Sequence, residues 1–224
     1  VGDAIGQMLV PAVGIAVSPI PLIAIVLMLA TPRGRVNGTA FAAAWMVTLA
    51  VVSVIVVLAG SGADARVSSD PASWTSWVKL ALGILLLLLA GMQWRGRPQD
   101  GQEAQLPRWM ESIEAFSPAK SALLAAALVG VSPKNLILAV GGALSIASSS
   151  AGSGGKTVAI GLFVLIGSLC ALVPLGVFLL GGDRAVTILQ SWKTWMAAHN
   201  AAITAVLLIV LGTKFAGDAI SALT

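Results

Sequence analysis

Charge is the scarcest commodity in this sequence. Only 10% of its 224 residues are charged, against about 25% in a soluble domain. Hydrophobic residues make up 58%, and mean hydropathy is +0.96. Such a chain cannot clothe a water-facing surface, so an integral membrane protein is expected. Its formal net charge of +4 is spread over short segments between apolar runs, which excludes a nucleic-acid partner. The single cysteine, Cys170, excludes an intrachain disulfide. The single histidine, His199, has no second His or Cys at ligand spacing, so no metal and no cofactor are expected. Neither a histidine nor a carboxylate base accompanies Ser18 or Ser132, so no catalytic nucleophile and no enzyme are expected. Gly152-Ser153-Gly154-Gly155-Lys156-Thr157 imitates a phosphate-binding loop, but Ser150 stands where the pattern needs glycine; it reads as a flexible connection. A short apolar run behind a basic leader is missing as well, so no cleavable signal peptide is expected.

What the chain does have is apolar length. A spanning helix needs about 20 mostly apolar residues, and six segments qualify: 5–30, 37–60, 76–94, 119–148, 157–181 and 200–218. Asp70-Pro71 offers a cap and first-turn proline to the third. The longest polar stretch, 95–118, carries Leu106, Trp109, Met110, Ile113 and Phe116 at helical spacing. It suits an amphipathic helix lying in the membrane interface or packed on the protein. Ile188, Trp192, Trp195 and Met196 form a second such piece. Six of the seven Trp residues fall at span edges or in these pieces, as interfacial belts require; Trp45 alone lies inside a span. Pro174 is expected to kink the fifth span. Eight Lys and Arg residues in the loops after spans one, three and five, against four on the other side, place both termini outside the cytoplasm.

One phrase is written twice. Val17-Ser18-Pro19-Ile20-Pro21-Leu22-Ile23 and Val131-Ser132-Pro133-Lys134-Asn135-Leu136-Ile137 both read V-S-P-x-x-L-I, near the middle of spans one and four. Proline removes an amide and pushes against the carbonyl four residues back, so each copy should break its helix. Broken backbone survives in lipid only where protein or a wet cavity satisfies it. With three spans per half, the second half must run upside down relative to the first, the arrangement of inverted-repeat transporters. The expected fold is therefore all-α, with six transmembrane helices as two inverted three-helix repeats. The repeats are 1–94 and 119–224, joined by a cytoplasmic linker, 95–118.

Lys134 is the charge set deepest in a span. An intramembrane lysine costs about 2.5–3.5 kcal/mol on insertion scales, so it is normally paired, cavity-facing and functional. Here it stands at the start of a half-helix. The amides of Asn135, Leu136 and Ile137 and the positive end of the helix dipole would add to its ammonium to make an anion site. The substrate-binding candidates are Ser18, Pro19, Pro21, Ser132, Pro133, Lys134 and Asn135. None of the nine acidic residues lies in the interior of a span, Asp218 being the last residue of the sixth, so a proton relay through intramembrane carboxylates is not expected.

Those motifs, together with Thr31-Pro32-Arg33-Gly34-Arg35-Val36-Asn37-Gly38 running on to Phe41 and Trp45, resemble the GAP family. These are the glycopeptidolipid- and sulfolipid-addressing proteins of actinobacteria, in the LysE exporter superfamily. One departure is Ser132, where the family motif has Asn. The resemblance implies a multi-pass protein of the bacterial cytoplasmic membrane that exports or flips an anionic lipid or glycolipid. Its partners would be the bilayer and that lipid, with a homodimer admitted as the assembly. Two other readings stay open: a small-solute exporter of the amino-acid-exporting kind, and a non-transporting scaffold that docks envelope-lipid enzymes through 95–118.

Overall fold

The computed structural model describes residues 2–64, 72–95 and 108–223, and among them it contains helices and no strand. The Asp70-Pro71 cap and most of the polar stretch, 96–107, lie outside the described residues. The α-helices are α1 (Gly2–Ala16), α2 (Pro19–Leu29), α3 (Gly34–Asp64), α4 (Ala72–Arg95), α5 (Pro118–Gly130), α6 (Pro133–Ala147), α7 (Ser153–Gly167), α8 (Leu169–Leu180) and α9 (Ala185–Leu223). Three are long and apolar enough to cross a membrane alone: α3 over Gly34–Gly60, α4 over Ser76–Arg95 and α9 over Ala185–Ser221. The other six form three bent pairs, α1–α2 at 49°, α5–α6 at 66° and α7–α8 at 58°, giving up to six crossings if each pair is one span.

Both copies of the repeated phrase break their helices, and the local chemistry explains how. A residue before proline is pushed out of the helical region. Ser18 (φ −68°, ψ 117°) and Ser132 (φ −65°, ψ 117°) obey with nearly the same extended backbone. Each proline then opens the next helix at the first position, where a missing amide does no harm. Proline alone is not sufficient: Pro11 sits inside an unbroken α1.

The third bend falls elsewhere than expected. Pro174 lies inside α8, and the break is at Ser168, six residues upstream. There the Ser168 amide turns to the carbonyls of Val164 and Leu165, at 3.0 and 3.3 Å. The indole N–H of Trp45, fully buried, donates to the Gly167 carbonyl at 3.2 Å. A backbone acceptor at the break is thus satisfied by the one tryptophan placed within a span.

Other boundaries move too. Gly152 caps α7, so the glycine run expected as a loose connection begins a helix, with the Lys156 amide on the Gly152 carbonyl at 3.0 Å. The polar piece around Trp192 is continuous with α9. The linker's amphipathic segment is a 3-10 helix, Arg108–Ala115. Its Met110 and Ile113 are buried in the core, and the segment packs on α2, so it lies on the protein rather than free in the interface plane.

The helices interlock across the chain. α4 lies along α9; α3 packs on α5 and α6; α1 and α2 pack on α7 and α8, and α2 also meets α9. The α4–α9 crossing is close because glycines face it. A Cβ added to Gly83 would lie 2.8 Å from the Ala216 amide nitrogen and 2.9 Å from the Gly212 carbonyl oxygen, the small-residue approach that packs helices in lipid. Large apolar side chains such as Leu58 (67% exposed), Leu88 (61%) and Leu123 (71%) cover the outside, as a lipid-facing surface requires.

Candidate functional site

The two breaks meet. Ser132 reaches back with its amide to the Ala127 carbonyl (3.2 Å), a position already used by the Val131 amide (2.8 Å). That leaves the Leu128 carbonyl without its helical donor, and Asn135 Nδ2 donates to it at 2.8 Å. The same side chain's Oδ1 accepts from Ser18 Oγ at 3.1 Å, tying the second break to the first. Ser18 Oγ also lies 3.3 Å from the Gly14 carbonyl, which lost its own helical donor at the first break. A hydroxyl has one proton, so Ser18 shares it between these two acceptors. Ser18 and Asn135 are both buried, at 1% and 3% exposure. The Gly14 and Leu128 carbonyls, left without helical donors, are therefore met by side chains that also bond each other.

Around this tie lies a cavity of about 380 Å³. All seven residues singled out in the sequence line it: Ser18, Pro19, Pro21, Ser132, Pro133, Lys134 and Asn135. They do not play equal parts. Pro19 and Pro21 are buried and have no amide, so they offer ring surface only. Asn135 is committed to Leu128 and Ser18, which makes it first a positioning residue. The intrahelical ladder of α6 begins with the Leu136 amide on the Ser132 carbonyl, at 2.9 Å. Leu136 is therefore not a free donor as expected. In the first turn, the amides of Lys134 and Asn135 have no helical acceptor. The matching turn of α2 has only Ile20, because its neighbours are prolines. Donors thus concentrate on the α6 side.

Lys134 is the exception to the pairing. Its side chain lines the cavity, and its ammonium makes no hydrogen bond or ion pair with any described residue. The titratable neighbour it feels is the thiol of buried Cys170, from the start of α8. Two helix N-termini, α2 and α6, point their positive ends into the same space. An unpaired cation, first-turn amides and two dipole ends each favour negative charge nearby.

Sequence reasoning missed the rest of the lining. α4 contributes Leu89, Met92 and Gln93, and α9 contributes Asn200, Thr204 and Leu208. The spacings 89-92-93 and 200-204-208 each mark one helical face, a signal present in the chain. Gln93 and Asn200 stand at the ends of predicted spans, where polar residues are ordinary, so nothing local set them apart. Met92, which lines the cavity, is 69% exposed. Among the described residues no group of three His, Cys, Asp or Glu could hold a metal. His199 stacks on Trp195, with ring centroids 4.8 Å apart.

Comparison with known proteins gives a family match. The model of the SfLAP family, described as Sap, sulfolipid-1-addressing protein, matches residues 8–221. No curated protein and no solved structure matches the chain.

Proposed function

The chain belongs to the sulfolipid-1-addressing protein family, and from that premise we propose that it is a transporter, exporting or flipping an anionic lipid or glycolipid across the cytoplasmic membrane. The observation that carries this reading is Lys134, an ammonium without a protein partner among the described residues, in a cavity between two half-helices. An ion held this deep in an apolar chain is expected to serve a ligand. The exposed Met92 in the cavity lining favours a lipid over a small solute: a tail can stay outside while the headgroup enters.

The two halves act as inverted repeats, as in the LysE superfamily, and rock against each other around the site. Two facts support this. The backbone angles at Ser18 and Ser132 nearly coincide. The packing is also reciprocal: α3 on α5 and α6 is answered by α7 and α8 on α1 and α2, and α4 on α9 pairs equivalent elements. The bias of Lys and Arg puts the termini outside, so the Gln93 end of α4 faces the cytoplasm and the cavity loads from that side. The chain carries its substrate without altering it.

The test is lipid movement in vesicles. Purified protein in proteoliposomes should move a fluorescent anionic phospholipid between leaflets, read by quenching of the outer leaflet. A hydrogen bond to a charged group contributes about 1.5–3 kcal/mol, so Lys134→Met should slow the movement about 10- to 100-fold. A Met variant that moves the lipid as fast as wild type would overturn the proposal.

A further inference from the structure

The α4–α9 lining of the cavity is polar in a way that helix packing does not explain. Gln93 on α4 and Asn200 and Thr204 on α9 line the cavity. Polar side chains within membrane helices commonly bond neighbouring helices together, and α4 and α9 are extensively packed. Yet Gln93 makes no hydrogen bond with any described residue. Thr204 Oγ1 donates to Asn200 Oδ1 at a long 3.5 Å, within one helix. None of the three ties α4 to α9. The crossing is made instead by glycine, at Gly83 and Gly212.

Their chemistry differs from that of the Lys134 side. An amide carries both donors and an acceptor, and a hydroxyl likewise. Gln93 and Asn200 therefore present paired donor and acceptor atoms without charge. Such a surface suits alcohol groups, which also donate and accept, whereas an anion accepts only. A site built to bond a hydroxyl disfavours an analogue that lacks it, because its own polar groups then lose a partner.

Resting on the anion-site reading above, we infer that the cavity reads a headgroup in two parts: Lys134 takes a monoanionic ester, phosphate or sulfate, and Gln93, Asn200 and Thr204 take the hydroxyls of a polyol attached to it. The α4–α9 wall is the specificity-determining half, and Lys134 supplies affinity for any lipid of that charge. The inference assigns separate readouts to the two walls.

Two probe lipids isolate them: phosphatidylinositol and phosphatidylethanol with the same acyl chains. Each carries one phosphodiester charge, and only the first carries ring hydroxyls. Binding to the full-length protein in nanodiscs, followed by tryptophan fluorescence, gives the ratio of the two affinities. Wild type should prefer the inositol lipid about tenfold, the factor expected when about two neutral hydrogen bonds separate the ligands. Gln93→Leu and Asn200→Leu should each lower that ratio, and the double variant should bring it close to one, chiefly by weakening the inositol lipid. Thr204→Val, nearly isosteric, should lower it less. Lys134→Met should weaken both lipids in parallel and keep the ratio. If Lys134→Met has no effect while the wall variants change the ratio, the anion reading fails and the hydroxyl reading stands. A ratio unchanged in the double variant, or both lipids lost equally in it, would overturn the assignment of the wall; a wild type without preference would do so as well.

Discussion

Asn135→Leu tests whether the two breaks hold each other. The substitution keeps the number and branching of the side-chain heavy atoms and removes two bonds at once: the donor to the Leu128 carbonyl, at 2.8 Å, and the acceptor for Ser18 Oγ, at 3.1 Å. Leu128 lines the cavity and its bond is only part-buried, so water can reach the abandoned carbonyl. Its loss then belongs at the low end of the penalty for an unsatisfied group, about 1 kcal/mol. The Ser18 contact is fully buried, but its hydroxyl falls back on the Gly14 carbonyl. That bond is worth about 0.6–1.7 kcal/mol, the range found for interhelical polar pairs in membranes. Asn135→Leu should therefore destabilise by about 2 kcal/mol and Ser18→Ala by about 1 kcal/mol. The double variant should fall short of the sum of the two singles, because the shared bond is counted in both. Unfolding in mixed micelles of increasing SDS content measures all three. Were Ser18→Ala and Asn135→Leu to add fully, with no coupling between them, the contact would contribute nothing and the reasoning would fail.

Trp45→Phe should keep the buried aromatic volume but leave the Gly167 carbonyl without its indole donor, now at 3.2 Å; a loss of about 1 kcal/mol is expected in the same unfolding assay. Gly83→Val should prevent α4 from seating on α9, since an added Cβ meets Ala216 and Gly212 backbone within 3 Å, and the protein should lose its monodisperse peak on size exclusion. Gly91→Ala, on the same helix with nothing within 4 Å of the added carbon, should elute as wild type does and serve as the matched control.

The breaks at Ser18 and Ser132 were legible because three local signals agree there: a helix-disfavoured residue before proline, a proline at a first-turn position, and the whole phrase repeated. The cavity-lining residues followed from that, since a break in an apolar span has to be satisfied by something. Single prolines misled for the same reason. Pro174 carries no preceding Ser and no repeat, and α8 absorbs it while the chain bends at Ser168. At that bend the Gly167 carbonyl meets a partner 122 residues away, the indole of Trp45, and no window of sequence contains such a pair. The α4–α9 wall was hidden in a similar way. Gln93 and Asn200 look like ordinary span ends until the close Gly83–Gly212 crossing lays the two helices side by side against the cavity.

That contrast bears on how the site is divided. Ser18, Asn135 and the carbonyls of Gly14 and Leu128 satisfy one another across the two breaks. They form a closed set and need no ligand to justify them. Lys134 and Gln93 are left outside it, both lining the cavity, each without a partner among the described residues. Desolvating an ammonium or an amide with no compensating bond is unfavourable. The polar side chains at the Ser18 and Ser132 breaks are spent on the breaks themselves, whereas these two line the cavity, and on the reading proposed above they serve a ligand. The order of effects then follows: loss of Asn135 should act first on stability, and loss of Lys134 first on transport. If the reverse were found, with Lys134→Met unfolding early in SDS and Asn135→Leu stable but inert, the division between framework and site drawn here would be inverted.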